Sequence, residues 1–136
     1  MKLRIGVALI LAGAVTGQGH AQQVDPVQVI RFLDKDGDGK CNLNEYLNFQ
    51  AGRFVQSDAD ADNALQYGEF KDSLQGRAKL TSQRTFDAFN IEENRKALTR
   101  REFLGYHAYV FKEYVDTDGD GFMSAGEWSK LTAGLN

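Results

Sequence analysis

Three stretches of this 136-residue chain place an oxygen-bearing side chain at alternate positions and then, seven residues on, a glutamate. Residues 34–45 carry Asp34, Asp36, Asp38, Asn42 and Glu45. Residues 58–69 carry Asp58, Asp60, Asp62, Gln66 and Glu69, and residues 116–127 carry Asp116, Asp118, Asp120, Ser124 and Glu127. Twelve of the nineteen Asp and Glu fall in these windows, a concentration that a merely solvated acidic surface does not need. Carboxylate, amide and hydroxyl oxygens are hard donors, so the clustering suits a hard divalent cation.

The pattern D-x-D-x-D-G-x5-E is complete from Asp34 to Glu45 and from Asp116 to Glu127. The copy from Asp58 to Glu69 departs from it only at Asn63, where glycine is usual. These loops resemble those of the EF-hand family, the calmodulin type of calcium site, and the resemblance covers nearly all of residues 27–133. It implies calcium as the ligand, about three ions per chain. It also implies ligands at positions 1, 3 and 5 from Asp34, Asp36 and Asp38, from Asp58, Asp60 and Asp62, and from Asp116, Asp118 and Asp120. Position 7 gives a backbone carbonyl, so Lys40, Ala64 and Phe122 can be of any type; position 9 is Asn42, Gln66 or Ser124. Glu45, Glu69 and Glu127 close each shell with both oxygens, which favours calcium over octahedral magnesium. Position 6 requires a positive φ, which Gly39 and Gly121 adopt freely and Asn63 tolerates next best.

A fourth loop, near residues 91–102, departs from the pattern. Counting back from Glu102 puts Ile91 at position 1, and Ile offers no oxygen. Counting from Asn90 brings in Glu92 and Asn94 but makes the loop thirteen residues long, with Arg95 and Lys96 at its turn. A metal-free loop that serves to pair with a working one is the expectation.

The elements that must position these residues follow from the same frame. An aromatic follows each closing glutamate (Tyr46, Phe70, Phe103 and Trp128), and apolar residues precede each loop. Phe103, Tyr106, Val110 and Tyr114 recur at helical spacing and read as one core face rather than as a cofactor box. The first two loops begin 24 residues apart, so a single helix of about twelve residues, about 18 Å long, joins them. Loops at opposite ends of such a helix cannot lie side by side. The second and the degenerate third loop begin about 32 residues apart, with Gly76 between them, which leaves room for two helices. The expected fold is therefore all-α, an EF-hand array of four helix–loop–helix units with shared helices. Loop 2 pairs with degenerate loop 3, and loop 1 with loop 4. Shared helices of this kind are known in the penta-EF-hand family, to which the likeness is limited to that feature. In EF-hand pairs position 8 bridges to the partner loop, so Leu65 should face Leu98 and Cys41 should face Met123, with the thiol buried.

Composition bounds the rest. Lys2 and Arg4, the apolar run Ile5–Val15 and Gly19-His20-Ala21 read as a signal peptide, residues 1–21, leaving a domain of residues 22–136. Eleven apolar residues are too few for a membrane anchor. The expected location is periplasmic or secreted, with no membrane insertion after cleavage. The net charge of -3 and the lack of a basic cluster argue against nucleic acid as a partner. Cys41 is the only cysteine, so no internal disulfide forms. Beyond the leader His107 is the only histidine, and no nucleophile motif or phosphate loop accompanies it, so an enzyme is not expected. The expected role is calcium binding as a buffer, structural binder or calcium-responsive sensor. The alternative is a calcium-dependent interaction module resembling dockerins, with an unidentified protein partner.

Overall fold

A computed structural model describes residues 25–74, 80–92 and 96–133. The expected leader, Gly76 and the centre of the third loop lie outside the described residues. Helix α1 spans Pro26–Leu33 and is followed by strand β1, Cys41–Asn42, and helix α2, Leu43–Ser57. Strand β2, Ala64–Gln66, leads into helix α3, Tyr67–Ser73, and helix α4 covers Ser82–Phe89. Strand β3, Ala97–Thr99, leads into helix α5, Arg100–Val110, which runs on as a π-helical turn, Phe111–Val115. Strand β4, Phe122–Met123, and helix α6, Ala125–Ala133, complete the order.

Local chemistry sets the helix starts. Asp25 caps α1 by accepting from the Val27 N–H, and Pro26 supplies a preset φ at the first helical position. The helices that leave the loops reuse the loop residues. Asn42 accepts from the Glu45 N–H at 2.9 Å while Glu45 accepts from the Asn42 N–H at 2.9 Å, a reciprocal capping box. Thr99 with Glu102 and Ser124 with Glu127 repeat it. The residue at loop position 9 is thus the helix N-cap, and the closing glutamate its third residue.

The all-α expectation, an array of four helix–loop–helix units, is corrected by the strands. The described residues form a mainly helical protein that also holds two small antiparallel sheets, β1–β4 and β2–β3. Their cause is physical: the residues leading into each exiting helix are extended, with Asn42 at φ -82° and ψ 172°, and position 8 is buried. Buried backbone N–H and C=O groups outside a helix need partners, and another loop provides them. Cys41 lies opposite Met123 and Leu65 opposite Leu98, the partners that the loop spacing predicts.

Helix packing brings these strands together. α1 lies against α6, α3 against α4, and the long shared helices α2 and α5 against each other. Tyr46, Gln50 and Phe54 form the buried stripe of α2, and Phe103, Tyr106, His107 and Val110 that of α5. Phe54 meets Phe103 edge-on at 5.4 Å between ring centroids, and Tyr46 meets Phe111 at 5.2 Å. The π-turn shifts the stripe. The Asp116 N–H bonds back five residues to the Phe111 carbonyl, so Phe111 and Val115 are buried while Tyr114, expected on the core face, is only partly so. His107 is a core residue, packed on Phe103 and Tyr106, with its Nδ1 3.5 Å from the Tyr46 hydroxyl. Burial, aided by the nearby Arg53 charge, pushes its pKa down to about 3.

Candidate metal centres

Each acidic loop folds back on its own first aspartate. Asp34 accepts from the N–H groups of Gly37 at 2.7 Å, Asp38 at 3.2 Å and Gly39 at 2.7 Å. Asp116 accepts from Asp120 and Gly121, and Asp58 from Asp62 and Asn63. A chain wrapped this tightly needs left-handed backbone at positions 4 and 6. Glycines supply both in the first and last loops: Gly37 and Gly39, and Gly119 and Gly121, have φ from +75° to +85°. The middle loop makes the same turn with Ala61 at φ 58° and Asn63 at φ 64°. Alanine in that conformation is strained.

The closing glutamate is drawn over the start of each loop. Glu45 Oε1 accepts from the Lys35 N–H at 2.6 Å and the Asp36 N–H at 3.2 Å. Glu127 Oε1 accepts from Thr117 and Asp118, and from the Thr117 hydroxyl at 3.2 Å. Glu69 is less engaged at this end, meeting the Ala59 N–H at 2.9 Å. Glu102 makes the same closure with Ile91 and Glu92 although Ile91 offers no side-chain oxygen. Closure is therefore a property of the loop–helix joint, and the convergence of aspartates distinguishes the acidic loops.

That convergence is fullest in the last loop. Asp116, Asp118, Asp120 and Glu127 each bring one carboxylate oxygen within 4.8 Å of the others. Asp34, Asp36 and Glu45 do so in the first loop, and Asp58, Asp60 and Glu69 in the second. Asp38 and Asp62 stand outside these groups. Asp62 Oδ2 accepts instead from the Gln66 amide at 2.6 Å, so the position-9 residue competes for it. Two oxygens bound to one calcium at about 2.4 Å lie at most about 4.8 Å apart, so the spacing fits a shared ion. Lys40, Ala64 and Phe122 occupy position 7, with each N–H donated to the position-5 aspartate of its own loop. The Thr117 hydroxyl on Glu127 and the Lys40 ammonium beside Asp120 have no fixed position in the motif and so carry no signal in the sequence.

Charge accumulates at position 3. The Asp38 N–H holds the Asp36 pKa down, but desolvation and the carboxylates of Asp34, Asp38 and Glu45 outweigh it, and the pKa rises. Asp60 and Asp118 rise in the same way, each against a backbone hydrogen bond, from Asp62 and Asp120. At Asp34 desolvation is opposed by the Gly39 and Gly37 N–H groups, which win and lower its pKa. The rise at position 3 comes from like charges gathered within one loop, each disfavouring the ionised form of its neighbours. Compared with known proteins, the chain matches no family model and no curated relative.

Proposed function

We propose that the protein binds calcium through EF-hand-type loops at residues 34–45, 58–69 and 116–127. The observation that carries the proposal is the four-carboxylate cluster of Asp116, Asp118, Asp120 and Glu127, whose oxygens lie within 4.8 Å of one another. Calcium, when bound, would neutralise the gathered carboxylates and hold their oxygens in a fixed shell. The chain's own residues do the rest. Asp34, Asp58 and Asp116 organise the turn through backbone N–H groups, and the closing glutamates tie the loop start to the exiting helix. The position-9 residues Asn42 and Ser124 cap that helix. Calcium occupancy is thereby coupled to the register of the helices, which suits a structural binder, buffer or sensor. The leader-like residues Lys2, Arg4 and the apolar run 5–15 support a periplasmic or secreted location for this activity.

Trp128 directly follows Glu127 and is 4% exposed, so its emission reports on this loop. A calcium titration should give a saturable change in Trp128 fluorescence that a chelator reverses. An emission spectrum indifferent to millimolar calcium counts against the proposal.

A further inference from the structure

Lys40 reaches from the first loop into the last. Its ammonium lies 4.0 Å from Asp120 Oδ2 and 5.0 Å from the Phe122 ring centroid. The strand register accounts for this: Asn42 pairs with Phe122, so Lys40, two residues earlier on the same face, is the diagonal neighbour of that ring. Asp120 Oδ1 is held by the Phe122 N–H at 2.9 Å, which leaves Oδ2 to face the ammonium. The two side chains are 51% and 42% exposed, so the ion pair contributes little to stability by itself.

We propose that Lys40 is a built-in counter-cation of the 116–127 site, supplied by the neighbouring loop, which weakens that site's calcium affinity and makes it salt-dependent. The inference rests on the calcium reading. A divalent ion ligated by Asp120 sits roughly 6–7 Å from the ammonium, and Coulomb's law between charges of +2 and +1 at that range gives about a ten-fold effect on the dissociation constant in water without salt. Screening at about 0.15 M salt reduces it to about three-fold. Lys35, in the same loop, is occupied elsewhere: its ammonium donates to the Phe32 carbonyl at 2.8 Å.

The test is a calcium titration of the full chain read by backbone amide NMR at Gly121 and Gly39, which donate to Asp116 and Asp34. Lys40→Gln should lower the half-saturating calcium at Gly121 about three-fold at about 0.15 M salt, and more as salt is removed. Lys40→Arg keeps the charge, and Lys71→Gln makes the same change of net charge on α3; both should stay within about two-fold of wild type. An unchanged midpoint in Lys40→Gln, or an equal shift in Lys71→Gln, would overturn the proposal. Wild-type protein whose Gly39 and Gly121 signals ignore calcium would overturn the calcium reading and this inference with it.

Discussion

Cys41 and Met123 face each other across two-residue antiparallel strands, and both side chains are fully buried. This contact ties the first acidic loop to the last through the buried core, although 82 residues separate the two in the chain.

The Cys41 thiol is accordingly inert. Desolvation, and then the negative charges of Glu45, Asp34 and Asp38, raise its pKa to about 12. Native protein should react with a thiol reagent far more slowly than protein in denaturant. Equal rates in the two states would mean that the β1–β4 contact opens freely.

The middle loop carries backbone strain that its neighbours avoid. Ala61 at φ 58° stands where Gly37 and Gly119 stand in the other loops. Replacing Ala61 by Gly should stabilise the protein by about 0.5–1 kcal/mol, the strain relief exceeding the entropy that glycine adds to the unfolded chain. Asn63→Gly should act in the same direction with a smaller effect. Urea unfolding measures both, and a lower midpoint for Ala61→Gly would contradict the left-handed turn.

Much of this was legible in the sequence, for identifiable reasons. Ligand chemistry demands particular residue types at fixed spacing, so Asp34 to Glu45 and Asp116 to Glu127 stood out. Chain length between loops indicated that Leu65 meets Leu98. Strands of two or three residues carry no periodicity of their own, so the all-α expectation held only single position-8 bridges where two small sheets stand. The π-turn at Phe111–Val115 changes a hydrogen-bond register without changing residue types, so Phe111 and Val115 are buried while Tyr114 packs against the core only partly buried. Nothing in an alanine forecasts φ 58° at position 61. The Gln66 amide on Asp62 is likewise a contact that the motif does not encode.

His107 ties stability to pH. Its folded pKa of about 3 lies below the ordinary value of 6.5, so between these values the unfolded chain binds a proton that the folded chain does not. The stabilisation from neutral His107 is complete above about pH 6.5 and is lost as pH falls through that window, with a slope of at most about 1.4 kcal/mol per pH unit. Between pH 7 and 5, with the carboxylates common to both proteins, His107→Phe should flatten the pH dependence of the urea midpoint relative to wild type. An unchanged slope would show that His107 is not buried in its neutral form.

The three loops should differ in affinity. Four carboxylates converge in 116–127 against three in each of the other two groups, a gain that exceeds the roughly three-fold effect of Lys40, and in 58–69 Gln66 also occupies Asp62. The last loop should bind most tightly and the middle loop least. Glu127→Gln keeps the capping geometry but halves the ligand oxygens of that side chain, so it should weaken the tightest site by roughly ten-fold or more. Loss of the weakest site in that variant would reverse the assignment.

Isothermal calorimetry of the metal-free protein with calcium, repeated with magnesium, tests calcium binding most directly. The expected result is three calcium ions per chain with dissociation constants in the micromolar to millimolar range of about 10⁻⁶–10⁻³ M, and weaker magnesium binding. Absence of saturable calcium heat across that range, or magnesium binding as tightly as calcium, would contradict it.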